Sequence, residues 1–346
     1  MPRLDPEVLQ DFAEMILFGA GVPMLDAQLV ATLLVRADLL GYPAHGVAHL
    51  PAYIKRIKDG IVDLSIGPEV VQDAPAFAQI DGHFYLGQIV ANQAMTLAIE
   101  KAQEQGVGVV TFTRAGHIGR LADYVELAAD RGCVGMAMVS VSSASVPTHG
   151  GMSGVAGTNP IAFGIPGKDS RHFVLDFATA AMSRGELGRL MAAGEPIPEG
   201  VLIDSEGNPT TLAGQGQGRT TLIPFGEHKG AGLQLVAELL GGVFSAHGLG
   251  SAWQKAGPGG AINGGYFQAM RADLFRPLEE FLDEADALES AVRASQKRPG
   301  VSEIRVPGDR AREALGQNLQ DGVEIDPQDW EALEACARDL GLEEPS

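Results

Sequence analysis

The chain opens in a helical rhythm. Val8, Leu9, Phe12, Met15 and Ile16 recur at three- and four-residue spacing, one apolar stripe of a helix, and Asp5-Pro6 marks its start. Asp26 is placed to cap a second helix running through Leu40, and a third is expected over 44–58, ended by Gly60. From residue 77 the period changes. AFAQI predicts a strand, 88–105 a helix, VGVVTFT a strand, 120–131 a helix, and GMAMVSVS and FVLDFA two further strands. The segment 230–244 is a strongly apolar helix, and acidic helices are expected over 273–295 and 327–340. Residues 194–224 (GEPIPEG, DSEGNP, GQGQGR) read as turn and loop. No internal repeat interrupts the series, and its alternation predicts a mixed α/β body behind a helical N-terminal segment.

Composition agrees with a folded core. Of the 346 residues 45% are apolar and 20% charged, and the length allows two domains at roughly 150 residues each. The opening MPRLDPEVLQDF has no signal-peptide core, and no apolar run reaches the roughly 18 residues of a membrane span. A cytoplasmic protein with no membrane partner is expected. Cys133 and Cys336 stand alone, which excludes a disulfide framework. The net charge of −19 argues against a nucleic-acid partner, since phosphate neutralisation needs clustered Lys and Arg. Residues 271–346 carry 19 acidic and 9 basic side chains, read as solvated helical faces. Glycine is the unusual number. There are 45, concentrated between Gly106 and Gly265, against a usual share of about 7%.

Standard motifs are absent. Gly214, Gly216 and Gly218 miss the dinucleotide spacing and lead into Thr-Thr-Leu, and Gly167-Lys168 is followed by Asp169, which breaks a P-loop. No G-x-S-x-G elbow occurs. His45 and His49 are one helical turn apart with no third ligand in view, so no metal is expected. What remains is a set of histidines in glycine-rich settings: His45 in GYPAHG, His117 in RAGHIGR, His149 in PTHGG and His228 in FGEHKG. Read singly, each is better read as a structural histidine than as a catalyst. GHIGRL between a strand and a helix start offers free N–H groups to a cofactor phosphate. GTNP at 157–160 can point Thr158 into a cleft, and Lys229 at the start of an apolar helix opposes the helix dipole, as if awaiting an anion.

Together these residues resemble the malate/L-lactate dehydrogenase family that lacks a Rossmann fold, above all its hydroxycarboxylate branch. The matching stretches are AHGVAHLPAYIKRIKDG, AGHIGRLADYVELAADRG, GTNPIAFGIP, VLDFATA, GEPIPEGVLIDSEGNPTT, LIPFGEHKGAGLQLVAELLGG and RVPGDR, in family order over about 30–310. The resemblance implies that family's own α/β (α+β) fold: a helical segment over 1–75 that contributes to the substrate site, an α/β dimerisation and substrate domain over 76–125 and 300–346, and an inserted NAD(P)-binding domain with a mixed sheet over 126–299. It further implies a homodimer with its site at the subunit interface and NAD or NADP as cofactor.

The implied chemistry is hydride transfer between the nicotinamide and C2 of a small 2-oxo or 2-hydroxy acid. His45 would exchange the proton, a task suited to an imidazole, and His117 is the second candidate. By the same resemblance His117, Ile118, Gly119, Arg120, Leu121, Ser140, Asp176, Phe177, Ala178, Lys229, Pro307, Gly308 and Asp309 would line the cofactor, Arg120 meeting a 2′-phosphate or the pyrophosphate. Thr158 would face the substrate. Three positions depart from the family pattern. Ala44 replaces the serine before the histidine. His49 replaces an arginine expected to clamp the substrate carboxylate, which a histidine cannot reproduce. Glu186 stands where many members carry lysine; it could charge His45 and raise its pKa, or be a solvated loop carboxylate. Two other readings stay open: reduction of the C=N bond of a cyclic imino acid, and a nucleotide-binding protein without turnover.

Overall fold

The computed structural model describes residues 3–212, 220–256 and 262–342. Helix α1 (Pro6–Gly19) starts where the Asp5 carboxylate accepts from the Glu7 amide at 2.8 Å, and its stripe of Leu9, Phe12, Ile16 and Leu17 is buried. Helix α2 (Met24–Leu39) buries Val30, Leu34 and Val35. Its start departs from the expected cap. Pro23 precedes the first turn, and the Asp26 carboxylate accepts from the Tyr85 hydroxyl instead. The third helix is shorter than its pattern suggests: Pro43–His45 and Val47–His49 are separate 3₁₀ turns, and α3 covers only Leu50–Lys58. The break lies at Gly46, whose backbone is extended. The Asp38 carboxylate fills the place a side chain would take there and accepts from the Val47 amide at 2.8 Å. A tertiary contact, invisible to periodicity, shapes this turn.

The centre is a seven-stranded mixed sheet. Its strands are β1 (Glu69–Ala74), β2 (Phe77–Asp81), β3 (Val107–Ala115), β4 (Cys133–Val141), β5 (Ile161–Ile165), β6 (Phe173–Phe177) and β7 (Asn263–Arg271), in the order β1-β2-β3-β7-β4-β5-β6. Strands β2 and β3 are parallel, as a strand–helix–strand crossover through α4 (Gly87–Gln105) requires; every other neighbouring pair is antiparallel. The central β7 was not expected. NGGYFQAM looks turn-rich, yet its glycines permit close packing: a Cβ at Gly265 would enter the Phe112 ring. Phe267 lies opposite Val110 and Ala137 and meets Phe112 edge-on at 5.2 Å.

Helices α4 and α5 (Ala122–Asp130) contribute to one large core, which runs from Leu9 of α1 through Met95, Val110, Tyr124 and Phe267 to Leu333. The sheet takes strands from both sides of residue 125, and the core draws on both terminal segments. A smaller core of Val146, Ala180, Leu190, Ile197, Leu202 and Leu222 gathers around α6 (Arg184–Ala193). The segment 194–224 is turn and loop as expected over most of its described residues, with three two-residue strands within it: Leu202–Ile203 pairs with both Pro209–Thr210 and Thr221–Leu222. The GQGQGR run lies outside the described residues. Helix α7 (His228–Glu238) continues into a π-helical turn, Leu239–Phe244. Helices α8 (Leu278–Ala294), α9 (Asp309–Asp321) and α10 (Pro327–Asp339) follow. Helix α8 begins later than expected because Pro277 precedes it, and it has no buried residue. Among the described residues no helix is long and apolar enough to cross a membrane.

Candidate active site

The broken third helix sets the site. His45 ends the first 3₁₀ turn, His49 ends the second, and Tyr53 follows four residues later on the same face of α3, its ring stacked on His49 at 5.8 Å. The loop from β3 to α5 brings His117 into the same group. Its ring lies 4.6 Å from that of His49, 5.9 Å from Tyr53 and 6.4 Å from His45, parallel to the last within 13°. Two motifs some seventy residues apart thus converge on one cluster. The His49 Nε2–H donates to the Ala44 carbonyl at 2.8 Å, which ties the two turns together. The Tyr53 hydroxyl lies 2.7 Å from His117 Nδ1 and accepts from the Gln88 amide at 2.8 Å. Tyr53 and Gln88 were not among the expected site residues. Tyr53 was within reach, since it continues the His45–His49 spacing; Gln88 has no sequence signal.

The three imidazoles are neutral near pH 7. Burial, then the neighbouring His49 and Arg120, pushes His45 down to about 4. Burial first also lowers His49 and takes His117 well below the ordinary histidine range, while it raises the Tyr53 phenol. Of the two readings of Glu186, the one that raises the His45 pKa does not hold, and the carboxylate is instead a solvent-exposed partner of Arg189. The Glu186 carboxylate pairs with Arg189 at 3.0 Å, and those hydrogen bonds hold its pKa below the usual range. Its helix does reach the turn, since a Cβ on Gly185 would come within 2.9 Å of Ala44 Cβ, but the acid faces its own arginine.

The expected cofactor residues divide into supports and exposed groups. Arg120 is buried, ion-paired with Asp123 at 2.7 Å and Glu126 at 3.0 Å, and its guanidinium carbon lies 5.0 Å from the Tyr42 ring centre. Arg36 bonds the same two acids at 3.3 and 2.7 Å. Arg120 therefore holds up the His117 loop, and its charge is countered, so it is no free cation for a 2′-phosphate. Ile118 and Leu121 are buried in the main core, and Gly119 turns the loop at φ 73°. Ser140 departs from its expected role. It is fully buried and donates to Glu238 at 2.8 Å, joining β4 to α7 rather than facing an opening.

Asp176 is exposed at the end of β6 and accepts from the Ala122 amide at 2.8 Å, tying that strand to the start of α5. Phe177 packs edge-on against Phe225, and Ala178 stays partly open. The Thr158 carbonyl accepts from the Thr179 amide and hydroxyl at 2.8 and 2.9 Å, leaving its side chain half-buried. Lys229 is exposed at the start of α7 and makes no ion pair among the described residues. Pro307 precedes Gly308, which turns at φ 99° into α9, where Asp309 pairs with Arg293 at 3.0 Å and Arg312 at 2.7 Å.

A family profile described as malate/L-lactate dehydrogenase matches residues 4–334. A malate dehydrogenase of Pyrococcus horikoshii is 35% identical over 99% of this chain and 96% of its own length. Its solved structure superposes with a TM-score of 0.89 at 32% identity, covering 99% of this chain and 96% of that one. An L-sulfolactate dehydrogenase of Methanocaldococcus jannaschii is 35% identical over 98% of this chain and 97% of its own, and the structure of the sulfolactate dehydrogenase from that organism gives a TM-score of 0.89. A hydroxycarboxylate dehydrogenase B of Escherichia coli is 31% identical over 99% and 95% of the two chains. The mixed sheet and its flanking helices are the fold these dehydrogenases share.

Proposed function

This chain belongs to the malate/L-lactate dehydrogenase family, and on that premise we propose that it interconverts a 2-oxo acid and a 2-hydroxy acid with NAD or NADP, His45 exchanging the proton on the reacting oxygen. The coarser activity, oxidoreduction of a hydroxy acid, follows from the family. The observation that carries the finer reading is the convergence of His45, His49 and His117 on one neutral cluster beside Tyr53.

The exposed groups suit a nicotinamide dinucleotide. Lys229, a cation without an ion-pair partner among the described residues, offers a phosphate site at the start of α7. The exposed Asp176 offers an acceptor for sugar hydroxyls, and the loop 117–121 is held rigid by Ile118, Leu121 and the Arg120 network. When bound, the nicotinamide supplies the hydride exchange with the substrate carbon. The chain's own part is proton handling and orientation. A neutral His45 accepts the hydroxyl proton as the alcohol carbon is oxidised and returns it in reduction. Arg56, one turn beyond Tyr53 on α3, acts electrostatically on His49, Tyr53 and His117 and makes no ion pair among the described residues. It takes the substrate carboxylate in place of the arginine that His49 replaces.

A homodimer belongs to the same reading. Val236, Leu239, Val243 and Phe244 stand exposed along α7 and its π turn, an apolar face suited to a second copy. Reduction of a cyclic C=N bond loses support, since Glu186 is bound to Arg189 rather than turned to His45. Nicotinamide absorbance with NADH and NADPH against a panel of 2-oxo acids and cyclic imino acids tests the proposal. Turnover on an oxo acid is expected. His45→Ala should remove it while leaving cofactor affinity, read by fluorescence quenching, within twofold. Turnover on imines alone, or an active His45→Ala enzyme, overturns the assignment.

A further inference from the structure

The hydrogen bonds behind His117 form a chain with a direction. Gln88 and Tyr53 are almost wholly buried, so water does not compete for their polar atoms. The Tyr53 hydroxyl has one proton to give. Since its oxygen accepts from the Gln88 amide at 2.8 Å, that proton is free for its other neighbour, His117 Nδ1, at 2.7 Å. A nitrogen that accepts carries no proton, so in the neutral ring the proton sits on Nε2.

We propose that Gln88 is a positioning residue that sets the tautomer of His117: by donating to Tyr53 Oη it commits the tyrosine proton to Nδ1 and leaves an Nε2–H to donate to the reacting oxygen of the substrate. The proposal rests on the proposed function for the identity of that oxygen, and on the hydrogen-bond chain alone for the tautomer. It divides the labour of the cluster. His45 exchanges a proton, whereas His117 keeps its own and polarises the carbonyl, as a fixed neutral donor does. Burial supports this division, because it disfavours both a charged His117 and an ionised Tyr53. Among the described residues the Gln88 Oε1 atom is buried without a hydrogen-bond partner, so the amide is held at a cost in the orientation that serves the tyrosine.

The test reads the tautomer directly. Histidine-selective ¹⁵N labelling of the full chain and a long-range ¹H–¹⁵N correlation distinguish bare from protonated nitrogens, and His117→Asn identifies the His117 signals. The unaltered enzyme should show His117 with bare Nδ1 and protonated Nε2 across pH 5–8. Gln88→Glu replaces the donor by an acceptor for the tyrosine proton. The pattern should invert, and kcat should fall on the order of 10²-fold, the usual effect of losing one aligned donor. Gln88→Leu leaves the tyrosine undirected. It should give a mixed pattern and a loss of about tenfold, and it carries the test if the buried carboxylate prevents folding. A protonated Nδ1 in the unaltered enzyme overturns the proposal, as does Gln88→Leu with both pattern and kcat unchanged. The spectrum needs no substrate, so a failure of turnover on every acid would sink the proposed function and leave the tautomer assignment standing.

Discussion

Gly46→Ala isolates the contact that shapes the active-site turn. The backbone at Gly46, φ −89° and ψ −157°, is one that alanine adopts without strain, so the perturbation is steric alone. The added methyl would overlap the Asp38 carboxylate, about 1 Å inside the 3.0 Å that real Cβ atoms keep. Either the carboxylate leaves or the turn moves. If Asp38 leaves, the Val47 amide loses its 2.8 Å bond at a buried site, costing about 1–3 kcal/mol. Overpacking of the neighbouring helix adds about 1–3 kcal/mol. The expected loss is therefore about 2–6 kcal/mol, read from the urea midpoint at unchanged m-value. His45 is the adjacent residue, and a shift of about 1 Å in a reacting group costs on the order of 10²-fold in rate. Asp38→Ala combined with Gly46→Ala should cost less than the sum of the two single changes, because the first removes what the second strikes. A Gly46→Ala protein as stable and active as the parent, or strictly additive losses, refutes the reasoning.

Four further outcomes follow. With His45 pushed down to about 4, kcat/KM for hydroxy acid oxidation should be flat from pH 6 to 8 and fall only below about 5; a fall centred near 6.5 contradicts the buried cluster. Because a depressed histidine pKa means the unfolded chain binds the proton more readily, the His45 contribution should be fully present above about 6.5 and lost toward pH 4, about 2–3 kcal/mol, read as the difference between acid-titrated unfolding curves of the parent and His45→Ala. Arg120→Leu leaves Asp123 and Glu126 buried with only Arg36 as partner. It should cost about 3 kcal/mol in denaturant unfolding, whereas Arg120→Lys should leave the ratio of NADPH to NADH affinity unchanged; a tenfold change in that ratio would show a free cation there. Arg56→Gln should raise KM for the acid substrate at least tenfold with cofactor affinity unaltered, and an unchanged KM removes the residue from the site.

Much of the fold was legible in the sequence because its elements are made by local burial. The α1 stripe is buried at Leu9, Phe12 and Ile16, though Val8, read as part of it, is exposed, and VGVVTFT forms the strand it was read as. The failures share a cause. Strand β7, to which the sequence assigned no element, sits between β3 and β4 although more than a hundred residues separate it from either, and its glycines serve a close approach to Phe112. The 44–58 helix breaks because Asp38 on another helix occupies the space beside Gly46.

The site divides along the same line. His45 and His117 are nominated by resemblance to the family's motifs; both lie in glycine-flanked loops, His45 after helix α2 and His117 after strand β3, where side chains meet ligands. Only the tertiary structure brought their rings together, placed Tyr53 and Gln88 behind His117, and chose partners for the charges: Arg189 for Glu186, Asp123 and Glu126 for Arg120, Glu238 for Ser140. Periodicity reports which face of an element is dry and family motifs report what kind of chemistry the loops support. Which nitrogen holds a proton and which acid meets which arginine depend on distances of a few ångströms between residues far apart in sequence, and packing alone sets those.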